Sequence, residues 1–157
     1  MTGGFPGRHR VKANQPQVFG SVVPMTKFVV DCGAVLHLAS EGIEVPEEHE
    51  LLAPTLLRSQ TLSALHEAVH DGALSSDLAL ERLAHIWAMP IRLLGDAVLR
   101  RKAWKLAEQL GWPETYDAEY VALTQLQADA FVTLDADLAR QVEGIVPTAT
   151  IEALKTA

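Results

Sequence analysis

The chain has 157 residues, enough for one domain that buries its own core. Hydrophobic residues make up 48% and charged residues 21%, and no apolar run approaches the roughly 18 residues that a membrane span needs. A net charge of −7 argues against binding nucleic acid by phosphate neutralisation alone, and one cysteine excludes a disulfide framework or a cysteine-rich zinc site. We therefore predict a cytoplasmic protein with no membrane segment.

Residues 1–24 differ in composition from the rest of the chain. They contain several glycines and prolines and three basic but no acidic side chains, so the remaining residues sum to −10. We interpret them as a disordered basic extension or as the product of an upstream start codon, with Met25 as the true start. A basic arm that touches RNA is the alternative. The folded domain is predicted to cover residues 25–157.

From Met25 onward, short apolar runs alternate with amphipathic segments. The runs predict strands at residues 27–31, 51–54, 91–94, 130–134 and 145–148. The amphipathic segments predict helices at residues 33–40, 55–69, 76–88, 96–110 and 115–127. Strands separated by helices indicate an α/β fold with a short central parallel sheet and helices on both faces.

Local signals mark several helix ends. Pro54 is placed as an early residue of the second helix, and the Asp71-Gly72 pair ends that helix. Gly111 is predicted to end the fourth helix, and Thr115 to cap the next one.

Two aspartates follow buried strands, which is where ligands bind in parallel sheets. Asp31 ends the first strand, Asp135 ends the strand at residues 130–134, and Asp117 lies in the first turn of the helix that leads to that strand. If the two strands are neighbours, three carboxylates share one cleft and repel one another, which favours a hard cation such as Mg²⁺ or Mn²⁺. The competing interpretation is that Asp31 and Asp135 are helix N-caps and that Asp117 complements a helix dipole.

Three segments of the chain, residues 25–38, 52–65 and 115–140, resemble PIN domains, especially the VapC-like toxin ribonucleases. The resemblance implies a three-layer α/β/α fold in which Asp31, Asp117 and Asp135 bind the metal and Thr133 lines the site. It also implies cleavage of RNA with Mg²⁺ or Mn²⁺, pairing with a cognate antitoxin, and a homodimer.

One position departs from the family pattern. The family typically carries a glutamate six residues after the proline that opens the second helix, and here that residue is Gln60. Gln60 is expected to orient a metal-bound water without adding charge, so the metal would be held less tightly. The alternative function is therefore a catalytically weak or inactive PIN fold that binds RNA or protein.

Three other patterns suggest further sites. Residues 66–70 read H-E-x-x-H, the motif of zinc peptidases, although no third ligand is evident and surface histidines are the simpler interpretation. Basic residues on the fourth helix could guide RNA to the cleft or form an ordinary solvated face; these are Arg100, Arg101, Lys102 and Lys105. The aromatic residues are too scattered to predict a base-stacking platform, and core or dimer packing is favoured; these are Trp87, Trp104, Trp112, Tyr116 and Tyr120.

Overall fold

A parallel sheet of five strands lies at the centre of the protein; the structure is a computed structural model and describes residues 25–157. The strands are β1 (Thr26–Val30), β2 (His49–Pro54), β3 (Ile91–Leu94), β4 (Ala130–Val132) and β5 (Thr148–Ala149). The helices are α1 (Cys32–Glu41), α2 (Leu56–His70), α3 (Ser76–Ala88), α4 (Ala97–Leu110), α5 (Tyr116–Gln127) and α6 (Ala136–Gln141). The predicted extension at residues 1–24 lies outside the described residues.

The strand order is β3-β2-β1-β4-β5, and every pair is parallel. The central strands are apolar on both faces because helices cover both: α1 packs with α2 and α3, whereas α4 packs with α5, which lies on the sheet. Val29, Leu52 and Phe131 have no exposed surface, as expected for strands at the middle of a three-layer domain. The predicted α/β class with a short parallel sheet between helical layers is confirmed.

The structure corrects two details of the sequence-based prediction. Pro54 is the last residue of β2, as the predicted strand at residues 51–54 has it, but it is not an early residue of the second helix, because its pairing with Leu94 of β3 keeps it in the sheet. The last strand is β5 at Thr148–Ala149 and not residues 145–148, because the backbone N–H groups of Ile145 and Val146 donate to the carbonyl of Val142 in a turn.

A second correction concerns the segment after β4. The predicted strand at residues 130–134 ends at Val132, and the short helix α6, which was not predicted, starts at Ala136. The turn between them brings Asp135 to the N-cap of α6, three residues after Val132, which pairs with the last residue of β1. Thr115 does occupy the N-cap position of α5, but its side chain makes no capping hydrogen bond.

Across residues 25–157, no helix is both long and apolar enough to cross a membrane.

Candidate functional site

The carboxyl ends of β1 and β4 bring Asp31 and Asp135 to the same edge of the sheet. Val30 pairs with Val132 in the parallel ladder, so both strands stop at one level. Asp31 caps α1 through one oxygen, which accepts from the backbone N–H of Ala34 at 2.9 Å. Asp135 caps α6 in the same way, accepting from the N–H groups of Asp137 and Leu138 at 3.0 Å and 3.1 Å. In each case one of the two carboxylate oxygens does the capping, which leaves the other for the cleft.

Thr133 lies between the two capping aspartates. Its hydroxyl oxygen accepts from the backbone N–H of Asp135 at 3.1 Å, and its side chain is near enough to Asp31 to lower the pKa of that carboxyl. Its role in lining the cleft stays a prediction.

Asp117 completes the group from α5. Although the residue is exposed overall, the surrounding protein partly desolvates its carboxyl and raises its pKa, and the charges of Asp31 and Asp135 raise it further. Burial likewise raises the pKa of Asp31, and Asp135 adds to the rise, while the hydrogen bonds from Thr133 and Ala34 oppose it. The structure thus brings the three predicted carboxylates into one cleft, where they repel one another.

The donors in this cleft suit a hard divalent cation, since they are carboxylate oxygens with unrelieved mutual repulsion. Within residues 25–157, however, no three His, Cys, Asp or Glu side chains are close enough together to hold a metal ion directly. Mg²⁺ characteristically keeps several waters and binds through one or two carboxylates. The cleft therefore fits a partly hydrated ion, which some of the aspartates contact through water. It fits a fully dehydrated ion, bound by protein ligands alone, less well.

Gln60 contacts a residue that the sequence did not point to. Its side-chain oxygen Oε1 accepts a hydrogen bond from the hydroxyl of Tyr120 at 2.6 Å. Tyr120 is 1% exposed, and burial together with nearby Cys32 and Asp31 raises the pKa of its hydroxyl. The oxygen expected to hold a metal-bound water is thus already engaged with a buried neutral phenol. The sequence feature that could have predicted this contact is helical spacing. Tyr120 lies three residues after Asp117, which places the two side chains on the same face of α5.

One of the four basic residues of α4 lies close to α5. Arg100 lies near Glu119 and lowers the pKa of that carboxyl against the larger effect of burial, which raises it. Glu119 is two residues after Asp117, so Arg100 lies beside the first turns of α5. Arg101 and Lys105 are exposed and Lys102 is half-buried on the same helix.

The H-E-x-x-H motif lies on the exposed surface of α2. His66 and His70 are both exposed, and in the described part of the chain neither belongs to a group of three potential metal ligands. The motif therefore lacks the third ligand that a zinc peptidase requires.

Comparison with known proteins rests on structure, since neither a protein-family model nor a curated protein matches this sequence. The crystal structure of PAE2754 from Pyrobaculum aerophilum aligns with a TM-score of 0.63 and 21% identity, covering 82% of this chain and 93% of that one. VapBC-1 from nontypeable Haemophilus influenzae aligns with a TM-score of 0.55 and 11% identity, covering 81% of this chain and 99% of that one. A PilT N-terminus domain protein from Sulfolobus solfataricus has a TM-score of 0.41 at 15% identity, with coverages of 82% and 90%.

The fold is that of a PIN domain. The predicted three-layer PIN-like architecture is confirmed. The assignment of Asp31, Asp117 and Asp135 as metal ligands stays a prediction. Structural similarity at such low sequence identity establishes the fold alone, so the activity has to be argued from the site itself.

The raised pKa of Asp31 predicts a specific pH dependence of stability. The unfolded chain loses this proton at the usual pKa of an aspartate, whereas the folded protein keeps it to higher pH. Stability is therefore lost as the pH rises from the usual pKa through the raised one. Asp31→Asn keeps the N-cap but removes the charge. Without metal, its free energy of unfolding should therefore fall less than that of the wild type as the pH rises above the usual pKa of an aspartate, about 4.

Urea unfolding in the presence of a chelator measures this difference. Asp96→Asn is the matched control, because Asp96 caps α4 in the same manner, through the N–H of Leu99, but follows β3 at the far edge of the sheet. Parallel pH curves for wild type and Asp31→Asn would contradict the electrostatic account of the cleft.

Proposed function

We propose that this protein is a metal-dependent ribonuclease that hydrolyses RNA phosphodiester bonds with Mg²⁺ or Mn²⁺. The observation that carries the proposal is the meeting of three carboxylates from β1, α5 and β4 at the carboxyl edge of a PIN-type sheet, with the pKa values of Asp31 and Asp117 raised by burial and mutual repulsion. An unrelieved cluster of like charges at this edge is unfavourable for the protein alone, and a bound divalent cation relieves it.

The chain's own residues would order the reaction. Asp31 and Asp135 would hold the ion from neighbouring strands, directly or through water, and Thr133, which contacts the backbone of Asp135 and favours the charged form of Asp31, would support the site. A bound ion would lower the pKa of a coordinated water and stabilise negative charge on the phosphate. Asp117 would complete the carboxylates around the ion from the exposed side, and the basic residues of α4 would face the incoming RNA. Cys32 takes no nucleophilic part, because burial and Asp31 raise the pKa of its thiol to about 11.

Removing either strand-end carboxylate should abolish cleavage. Asp31→Asn and Asp135→Asn retain their N-caps, so each should fold while lowering the rate of RNA cleavage by about 100-fold or more, the order of magnitude that electrostatic stabilisation of a transition state contributes. Cleavage of a labelled RNA with Mg²⁺ or Mn²⁺ measures the effect, and a chelator should abolish it. Asp96→Asn should retain full activity; unchanged cleavage in Asp31→Asn or Asp135→Asn rejects the assignment.

The second candidate function is a PIN fold with weak or lost catalysis that binds RNA or protein. The contact between Gln60 and Tyr120 favours it, because a neutral amide with an engaged oxygen stands where the resemblance implies a charged ligand. The cleft then carries three carboxylates rather than four, and ligand charge is one determinant of metal affinity.

Gln60→Glu separates the two candidates. The substitution retains an oxygen acceptor for the hydroxyl of Tyr120 and adds a carboxylate. If the protein is an attenuated nuclease, Gln60→Glu should bind Mn²⁺ at least about 10-fold more tightly than the wild type does, which is within the range by which ligand and outer-shell changes alter metal affinity. Calorimetric titration with Mn²⁺ measures affinity independently of cleavage, and Gln109→Glu, at an exposed position of α4, controls for the added charge. Absence of Mn²⁺ binding in both wild type and Gln60→Glu favours the binding module.

We propose further that the protein is the toxin of a toxin–antitoxin pair, forms a homodimer, and binds its cognate antitoxin through an apolar groove. The groove has a volume of about 460 Å³ and lies between α2, α3 and β3. Leu62 and Trp87, which line it, are 52% and 65% exposed, a large apolar area for a protein with no partner. The structural similarity to VapBC-1 supports a partner of this kind.

The product of a small open reading frame directly upstream should co-purify with the protein. Trp87→Glu should reduce the yield of the complex, because a charge in an apolar contact carries a desolvation cost. Trp104→Glu is the matched control, since Trp104 is 63% exposed but lies on α4. Equal loss of complex in both variants would contradict the groove, and light scattering of the free protein tests the homodimer.

A further inference from the structure

A pocket opens beside two of the three aspartates, Asp117 and Asp135. It has a volume of about 210 Å³ and lies between the segment that precedes α5 and the helix α6. Asp117 and Asp135 form the side that it shares with the acidic cleft, and its other walls include Trp112, Tyr116, Leu138 and Gln141. A group held in this pocket is therefore a direct neighbour of whatever the aspartates bind.

Two aromatic side chains line the pocket. Tyr116 precedes Asp117 in the first turn of α5 and is 52% exposed. Trp112 is half-buried, and its indole N–H donates to Oε1 of Gln141 at 2.7 Å. The expectation that these aromatic residues serve only core or dimer packing is therefore incomplete, because the fold brings two of them to one pocket beside the cleft.

The orientation of Gln141 follows from the chemistry of its partner. An indole nitrogen can only donate a hydrogen bond, so the amide of Gln141 must present its oxygen to Trp112. The amide nitrogen, with two N–H donors, is left without a hydrogen-bond partner among the described residues. The pocket thus combines aromatic faces with an oriented donor.

These properties select a class of ligand. Aromatic faces bind flat π-systems, and the free N–H donors of Gln141 suit a ring with carbonyl or imine acceptors at its edge. A free anion is disfavoured, because Glu114 also lines the pocket and adds a third carboxylate to its rim. The remaining ligand chemistry is a planar heterocycle that is neutral at the point of contact.

We propose that this pocket binds a nucleobase of the RNA, next to the phosphate at the aspartates, by stacking on Tyr116 and Trp112 and by a hydrogen bond from Gln141. The inference rests on the proposed ribonuclease function and names the contact by which that site holds its substrate. Stacking on exposed aromatic side chains is the usual means by which proteins hold unpaired bases.

A cycle between protein variants and abasic RNA tests the pocket. Tyr116→Ala should weaken binding of a short single-stranded RNA by roughly 5- to 150-fold, the fold-change equivalent to one stacked base. The loss should vanish for the same RNA with an abasic residue at the position held in the pocket, because that RNA has no base that could stack on Tyr116. Tyr116→Phe keeps the ring and should bind like wild type. Binding is measured with Ca²⁺ as the cation, by anisotropy of a labelled RNA.

Gln141→Glu tests the hydrogen bond separately. It keeps an oxygen for the indole of Trp112 but removes the amide donors, so it should weaken binding of intact RNA more than Gln109→Glu, which adds the same charge on α4. Trp112 supplies a direct signal when Trp87 and Trp104, both more than 60% exposed, are replaced by phenylalanine. Its fluorescence should then change on binding of a nucleoside 5′-monophosphate, and Tyr116→Ala should weaken that response.

The outcomes distinguish this inference from the proposed function. Base-dependent binding that requires Tyr116, in a protein that cleaves no RNA, would support the pocket and reject the ribonuclease. RNA cleavage that depends on Asp31 but shows equal binding by wild type, Tyr116→Ala and Gln141→Glu would support the ribonuclease and overturn the pocket. If Tyr116→Ala lost the same affinity for intact RNA as for abasic RNA, the pocket would also be overturned. The contribution of Tyr116 to binding would then not depend on a base.

Discussion

The parallel pairing of β1 with β4 is the contact on which the candidate site depends. Val30 lies opposite Val132, and both are fully buried, so each strand reaches the edge of the sheet at one level before its aspartate begins a helix. A shift of one residue would turn buried side chains toward the other face throughout the strand, and packing against helices on both faces opposes any such shift. The position of Asp31 relative to Asp135 is therefore maintained by the hydrophobic core.

Capping and metal binding are compatible roles for these aspartates. In Asp31 and Asp135, one oxygen satisfies backbone N–H groups at the start of a helix. The capping bond restricts the rotation of the carboxyl group and so orients the second oxygen, and Thr133 accepts a hydrogen bond from the backbone N–H of Asp135. A site built on caps is preorganised because the helices that follow would lose stability if the side chains turned away.

The electrostatics of the cleft also give Gln60 a structural meaning. The hydroxyl of Tyr120 is buried close to Asp31 and Asp117 and needs an acceptor, which the amide oxygen of Gln60 provides without charge. A carboxylate there would add a fourth negative charge to a partly desolvated cluster and would be unfavourable without a cation. With glutamine rather than glutamate at this position, the protein should be more stable without metal but bind metal less tightly. Such a trade-off between stability and function is common at functional sites.

The sequence by itself determined most of the secondary structure and the positions of the aspartates after strands. Apolar periodicity placed α3 at Ser76–Ala88 and β3 at Ile91–Leu94 with the bounds that the structure has, because both signals are local. It missed α6, since a helix of 6 residues contains too few turns to show a period.

Only the tertiary structure decided which distant residues meet. Strand order brought β1 beside β4, and the same arrangement joined Gln60 to Tyr120, 60 residues apart, and Trp112 to Gln141, 29 residues apart. No local pattern encodes such contacts, because they arise when helices from separate parts of the chain pack onto one sheet. Three aspartates could thus be predicted from the chain alone, whereas the engaged amide and the pocket beside them follow from how the layers pack.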